Sequence, residues 1–298
     1  MTKTSETSPS LQDQLLDIQD EAKKTKVQLT PEIESYIREH LEAVQQKLAN
    51  NEPVYDEDLE FIKEARLMIK RAVFVKKLEP QYDERLETLK YYGFLDKNGK
   101  AKKGDVPPPS VEKAMSAFKP EELEIASSFQ KPTLLLIPET SFAAKVRALD
   151  THKQGIQKKD TYVHDNYTRT DSGSHKITGW RAVIVDGAQE MEAYEGDNLD
   201  LIFDKRIKNR KTARKPGEKG MDRHRYALLM MEAIKNGDPV DKELYTLLDD
   251  DPALSDSYVP GARFLPDSRG VYFYVYHSDR VDGSARFRSS VGGDVLLA

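Results

Sequence analysis

The chain has 298 residues, with 46 basic and 51 acidic side chains and a formal net charge of −5. At about 150 residues per domain, this length allows one large domain or two modest ones. The absence of cysteine excludes disulfides, thiolate nucleophiles and cysteine-ligated zinc or iron–sulfur sites. No run of about 18 apolar residues occurs, and the first eight residues lack the apolar core of a signal peptide, so we expect a soluble, cytoplasmic protein without a membrane span.

The first third of the chain is predicted to be helical. Residues 1–10 are polar, and we interpret them as a disordered tail. From residue 11 onward, apolar residues recur at three- and four-residue steps, which is typical of amphipathic helices. Glu79-Pro80 is expected to end the third of these helices, because proline cannot donate the helical hydrogen bond. We therefore predict a bundle of short-looped helices over residues 11–96.

The composition changes after the predicted bundle. Residues 97–109 are rich in lysine, glycine and proline, which is typical of a linker. Beyond it the strand and helix patterns do not alternate regularly, so we predict that residues 110–298 form an α+β domain with a small, mostly antiparallel sheet. Strands are predicted at residues 132–138, 180–187 and 190–194 and at three places after residue 270, and helices at 141–149, 222–235 and 241–248.

The strongest local feature is a basic segment, residues 205–225. It contains ten Lys and Arg residues against only Glu218 and Asp222, a local net charge of +8. Pro216-Gly217 indicates a loop. Concentrated positive charge can bind phosphates, but the same side chains can pair with acids such as those of Asp249–Asp251. The segment has no Phe, Tyr or Trp, so it offers no platform on which bases could stack.

A second pair of arginines lies near the end of the chain. Arg286 and Arg288 are two residues apart in a strand pattern, which predicts that both share one face. Such a pair suits a phosphate or carboxylate clamp, and it suits an internal ion pair equally well. Combining both features gives the predicted ligand-binding residues. They are Lys211, Arg214, Lys215, Arg223, His224, Arg225, Arg286 and Arg288.

Two other patterns near the C-terminal end are open to two interpretations each. The run from Tyr272 to Tyr276 places aromatic residues on both faces of a strand, so one face is expected in the core and the other could stack on a ligand or a protein. Ser289–Asp294 contains two glycines. It could form a nest of backbone N–H groups that binds an anion, or a tight turn between strands.

Signals of catalysis are missing from the sequence. The six histidines show no metal-ligand spacing, and no GxSxG, SxxK or Walker A motif occurs. We therefore predict no catalytic residue, no metal and no cofactor. The main hypothesis is a noncatalytic interaction protein whose N-terminal helices contact another protein.

Two alternatives remain beside this hypothesis. The first is a protein that binds nucleic acid or a phosphate-bearing ligand through residues 205–225. The second is an enzyme acting on a phosphate-bearing substrate, with His164, Asp165 or His224 as the acid or base.

Overall fold

In a computed structural model, the residues described are 31–50, 52–53, 55–102, 105–151, 161–163, 179–249, 257–267 and 270–296. The chain divides into two compact units, residues 1–77 and 78–298. The described residues include seven helices and eight strands. In chain order these are α1 (Pro31–Ala49), α2 (Asp56–Tyr91), α3 (Val111–Ser116), α4 (Pro120–Ser127), β1 (Pro132–Ile137), α5 (Phe142–Thr151), β2 (Thr161–Val163), β3 (Trp180–Asp186), α6 (Phe203–Ala213), α7 (Arg223–Lys235), β4 (Tyr245–Leu247), β5 (Tyr258–Leu265), β6 (Gly270–His277), β7 (Ala285–Phe287) and β8 (Ser290–Leu296).

In the first unit, α1 packs against the first part of α2. The apolar residues of α1 recur at three- and four-residue steps, so they form one stripe that faces the other helix. Lys47 near the end of α1 contacts Asp58 in the first turn of α2, with 2.9 Å between Nζ and Oδ1. The helix predicted before residue 31 lies outside the described residues, so the bundle over 11–96 stays a prediction. The shared core consists of Ile37, Leu41, Val44, Phe61, Ala65 and Ile69.

The predicted helix break at Pro80 is wrong, because α2 continues through it to Tyr91. A proline inside a helix costs about 3 kcal/mol, and contacts of the following turns with β1 offset this cost. The side-chain amide of Gln81 donates to the Pro132 carbonyl (3.1 Å) and accepts from the Leu134 N–H (2.8 Å). Arg85 Nε donates to the Leu134 carbonyl (2.6 Å).

The second unit contains two sheets, which confirms the mixed α and β class. The first sheet has the order β1-β3-β8 and is antiparallel. The second has the order β2-β6-β5-β4-β7, with parallel pairs at both edges. The three predicted C-terminal strands therefore do not form one antiparallel sheet, since β8 joins the first sheet and the other two join the second. The predicted hairpin partner at residues 190–194 is not a strand.

Helix α7 forms the centre of the second unit. It contacts β1, β3 and α5, and Tyr226 on the same helix packs edge-on against Phe273 of β6 with ring centroids 5.9 Å apart. Both of these side chains are fully buried. The sequence predicts this helix within one residue, because Asp222 caps it by accepting a hydrogen bond from the Arg225 N–H.

Three other predicted features differ from the structure. Residues 241–248 form no helix; Asp241 has a left-handed backbone (φ 54°) and the strand β4 follows it. The basic segment is not one loop, because α6 covers its first part and α7 begins at Arg223. The predicted linker, residues 97–109, belongs to the second unit, where Trp180 Nε1 donates to the Val106 carbonyl (2.8 Å). The domain boundaries drawn from the sequence stay a prediction.

No helix in the described parts of the chain is long and apolar enough to cross a membrane. The predicted cytoplasmic location stays a prediction.

Candidate anion-binding site

The arginines of the basic segment point into the protein. Arg206, Arg210 and Arg214 follow each other at four-residue steps, which places the first two on one face of α6. Arg206 and Arg210 are buried, and the Arg214 side chain is 10% exposed. Each of the three guanidinium groups contacts a carboxylate of the same unit, so part of the segment is used for internal ion pairs. The pairs are Arg206 with Asp197, Arg210 with Glu218, and Arg214 with Asp249.

The Glu218 carboxylate stays ionised in its pair with Arg210. Burial raises the pKa of Glu218, but the Ser289 hydroxyl and the charge of Arg210 outweigh burial and leave the pKa below its usual value. Arg214 shows that the acidic run after β4 faces the basic segment, as the sequence allows. This holds for Asp249 alone, since Asp250 and Asp251 lie outside the described residues.

Four of the five lysines of the same segment lie on the outside. Lys205, Lys208 and Lys211 are exposed on α6, and Lys215 is exposed just beyond it. Lys208 pairs with Asp204 four residues earlier, at 2.8 Å, where both side chains are exposed. Of these four, Lys211 and Lys215 are predicted ligand-binding residues. We call the set Lys205, Lys208, Lys211 and Lys215 the lysine row.

Arg288 is a fully buried part of the core. It forms an ion pair with Asp241, with 2.5 Å between Nη2 and Oδ1, and its Nη1 donates to the carbonyls of Asp186 (2.9 Å) and Ala188 (2.8 Å). Burial lowers the pKa of the guanidinium, but the charge of Asp241 outweighs burial and raises it. Every N–H group of Arg288 has a partner inside the protein, because Nε donates to Thr246 Oγ1 (3.1 Å) and Nη2 also reaches the Gln189 carbonyl (3.3 Å).

Arg286 and Arg288 therefore do not form a clamp in this structure. β7 ends at Phe287, and Arg286 donates to the carbonyls of Gly283 (2.5 Å) and Ala285 (2.8 Å). The two arginines share no hydrogen-bond partner among the described residues. Their role as ligand-binding residues stays a prediction without support from a common site.

The three consecutive residues Arg223, His224 and Arg225 at the start of α7 point in two directions. The Arg223 guanidinium lies 5.6 Å from the centroid of the Phe142 ring, and the His224 ring lies 5.9 Å from the same ring. Both residues are buried. Arg225 points elsewhere, and its Nη1 donates to the Gly220 carbonyl (2.8 Å). Of the predicted ligand-binding residues at this helix end, only Arg225 reaches the cleft described next.

An open cleft of about 490 Å³ lies where β3, β8 and the start of α7 meet. Its lining includes three cationic side chains from three different elements and two carboxylates. The cations come from a strand, from the segment between α6 and α7, and from the first turn of α7. The lining residues are Arg181, Lys219, Asp222, Arg225, Gly293, Asp294 and Val295.

A β-bulge forms one wall of the cleft. Val183 pairs with Gly292, but Arg181 pairs with Val295, so two residues of β8 lie opposite one residue of β3. Gly292 and Gly293 both have left-handed backbones, with φ of 78° and 96°. A Cβ at Gly293 would lie 3.1 Å from Arg225 Nη2. Glycine therefore allows the bulge to approach this guanidinium closely. Both glycines lie inside β8, so they do not form a turn between two strands.

The charged groups of the cleft are only partly neutralised within the protein. Lys219 Nζ donates to the Gly292 carbonyl (2.7 Å) and lies 3.8 Å from Asp294 Oδ1. Arg181 Nε is buried and has no hydrogen-bond partner among the described residues. A buried donor without an acceptor is costly.

Asp222 is the internal anion of the cleft. Burial raises its pKa, but Arg225 and the backbone N–H groups at the start of α7 outweigh burial and lower it. Its Oδ2 lies 3.5 Å from Arg225 Nε. The carboxylate is therefore ionised at neutral pH and stabilises the start of the helix.

The two segments singled out in the sequence, residues 205–225 and Ser289–Asp294, include five of the seven lining residues and leave out Arg181 and Val295. Arg225 is the only lining residue among the predicted ligand-binding residues. Two signals were present in the sequence. Arg181 is the only charged residue among Trp180–Val185, and a pair of glycines inside a strand pattern indicates a bulge or a close approach of the backbone.

The aromatic strand has the two faces that its sequence predicts. Phe273 is fully buried, while Tyr272 and Tyr274 lie on the opposite face with their rings stacked 5.5 Å apart. Tyr276 on that face stacks on Tyr245 at 4.9 Å, and burial raises its pKa to about 12. This face is therefore partly covered within the second unit.

His152, His164, Asp165 and His175 lie outside the described residues, so two of the three candidates for an acid or base, His164 and Asp165, are not placed. Within the described ranges, no group of three or more His, Asp or Glu residues could hold a metal ion. No family model, curated protein or solved structure matches the chain.

Proposed function

We propose that the protein is a noncatalytic binding protein that takes the phosphate group of a ligand in the cleft. The observation that carries this proposal is the convergence of Arg181, Lys219 and Arg225 from three elements around a glycine bulge. Three separate cations suit a tetrahedral anion, whose oxygens accept hydrogen bonds from several directions. The buried Nε of Arg181 supplies a donor that lacks an internal acceptor among the described residues.

The shape of the cleft supports a phosphate that is part of a larger molecule. The site is open on one side, and the half-exposed Val295 lies at its edge (44% exposed). An open site leaves room for the rest of a ligand to extend away from its phosphate. Gly293 leaves room beside the Arg225 guanidinium, which a Cβ would otherwise approach to 3.1 Å.

The chemistry of the lining supports binding without catalysis. Its two acids are Asp222 and Asp294, and no histidine or serine is among the lining residues. Asp222 is held ionised by Arg225 and by the helix N-terminus, so it is unsuited to donate a proton at neutral pH.

Arg181→Gln is expected to weaken phosphate binding about 10- to 100-fold, because a hydrogen bond to a charged group contributes about 1.5–3 kcal/mol. The measurement is a titration with inorganic phosphate, followed by NMR or by calorimetry at constant ionic strength. Lys242→Gln is the control, since this side chain is exposed, lies outside the cleft and carries the same charge. Equal phosphate affinity of Arg181→Gln and the control variant would exclude the cleft as the site.

A further inference from the structure

We infer that the phosphate in the cleft belongs to a nucleic acid, whose neighbouring phosphates lie along the lysine row. This inference rests on the proposed function of the cleft and assigns its ligand class. The separation of the two basic residue types on and just after α6 carries it, because Arg206, Arg210 and Arg214 form internal ion pairs while the four lysines of the row are exposed.

The spacing of the lysine row suits a phosphate backbone. Successive lysines lie three, three and four residues apart, and at about 1.5 Å per helical residue the part on α6 spans about 9 Å. One strand of a duplex carries a phosphate about every 3.4 Å along the axis. The row can therefore follow several consecutive phosphates of a single strand.

The turn after α6 connects the lysine row with the cleft. Lys215 ends the row, its backbone N–H donates to Glu218 Oε2 (3.1 Å), and four residues later Lys219 lines the cleft. Lys219 also pairs with β8, because its backbone exchanges two hydrogen bonds of 2.8 Å with Ser290. The turn is thus fixed at the sheet edge, and the positive charge continues from α6 to Arg181 and Arg225.

The residues between the lysines favour nucleic acid over a lipid surface. Asn209 and Thr212 are exposed beside the row, and the large exposed apolar side chains of the described residues are Tyr36, Tyr55, Val281 and Val295, none of them on α6. A helix that binds a membrane surface needs an apolar face toward the lipid. Lysines act as point charges toward phosphates, so we expect binding that depends little on base sequence.

Glu121 is an acidic residue beside this surface that forms no part of the row or of the cleft lining. A Cβ at Gly217 would lie 3.8 Å from Cγ of Glu121, which places the exposed Glu121 beside the turn between Lys215 and Lys219. Its carboxylate repels a phosphate there. Glu121→Gln is therefore expected to strengthen binding, which a merely structural role of the turn does not predict.

The test uses fluorescence anisotropy with a labelled single-stranded DNA of 15 nucleotides, over a range of salt concentrations. The variant carries glutamine at all four positions of the lysine row. It is expected to bind at least 10-fold more weakly at low salt, and the negative slope of log K against log salt is expected to become less steep by about 3, since each of the four phosphate contacts contributes about −0.7 for single strands. The control variant carries glutamine at Lys97, Lys100, Lys131 and Lys242, which are exposed elsewhere and give the same net charge.

The outcomes separate this inference from the proposed function. If the row variant loses DNA binding but still binds inorganic phosphate in the cleft, the result supports both the inference and the proposed function. A wild-type chain that binds inorganic phosphate but not DNA overturns the inference and leaves the proposed function standing. Equal DNA affinity of the row variant and its control, or binding to anionic phosphatidylserine vesicles without binding to DNA, also overturns it.

Discussion

Asp241→Asn is expected to lower the free energy of unfolding of the chain by about 3–5 kcal/mol, which is the usual effect of removing one partner of a buried ion pair. Asp241 and Arg288 are both fully buried. The substitution leaves a guanidinium in the core without its counter-ion. The same carboxylate also accepts hydrogen bonds from the hydroxyls of Tyr226 (3.0 Å) and Thr246 (2.7 Å).

Asparagine isolates the charge from other effects. It has nearly the same volume as aspartate, and it tolerates the left-handed backbone that Asp241 adopts at φ 54°. A loss of stability is therefore assigned to the charge and its hydrogen bonds. A larger or apolar replacement would mix this effect with backbone strain.

Urea denaturation followed by circular dichroism gives the free energy of unfolding. Asp204→Asn is the matched control, because it removes the carboxylate of an exposed pair with Lys208 and is expected to change stability by less than about 1 kcal/mol. The double variant Asp241→Asn/Arg288→Met removes the buried cation as well and is expected to recover part of the loss. A stability of Asp241→Asn equal to that of Asp204→Asn would contradict the structural role of this pair.

The elements that sequence predicts well are those with local signals. The strand from Pro132 and the strand from Trp180 are short apolar runs with turn residues at their ends, and α7 has a capping aspartate and a glycine stop. Each signal lies within about ten residues of the element that it defines, so the pattern alone is sufficient.

The features that the sequence prediction misses depend on distant partners. α2 continues through Pro80 because Gln81 and Arg85 bond to β1, about 50 residues away. Residues 241–248 form no helix, and the carboxylate of Asp241 is held by Arg288, 47 residues later in the chain. Hydrophobic periodicity is a local property of the chain and carries no information on such distant partners, so helices and strands predicted from it are wrong at these points.

The same limit applies to the candidate site. Sequence shows the excess of positive charge in residues 205–225, but it does not show that Arg214 pairs with Asp249, 35 residues away. The four-residue spacing of Arg206 and Arg210 is a usable signal, because it places these two side chains on one helix face and the lysines on another. Combined with the preference for arginine in buried ion pairs, it indicates which residues remain for a ligand.

Gly292→Ala is expected to lower the free energy of unfolding by about 2–5 kcal/mol. Gly292 has a left-handed backbone (φ 78°), which costs an L-residue about 1–2 kcal/mol. A Cβ there would lie 2.8 Å from the Ala182 carbonyl oxygen and 2.5 Å from Cε1 of Phe118. Overpacking of this kind adds about 1–3 kcal/mol, because the backbone of β3 cannot move without disturbing the sheet.

Substitutions at two other glycines distinguish the cost of a left-handed backbone from the cost of the steric contact. Gly99 has a similar φ of 74° but open space around its Cα, so Gly99→Ala is expected to cost only the 1–2 kcal/mol of the backbone term. Gly283 has open space and no left-handed backbone, so Gly283→Ala is expected to leave stability within about 0.5 kcal/mol of the wild type. Urea denaturation of the three variants gives the order of loss, largest for Gly292. A loss at Gly292 no larger than that at Gly99 would mean that the bulge yields to the added methyl group, and that the cleft wall it forms is more adaptable than its contacts indicate.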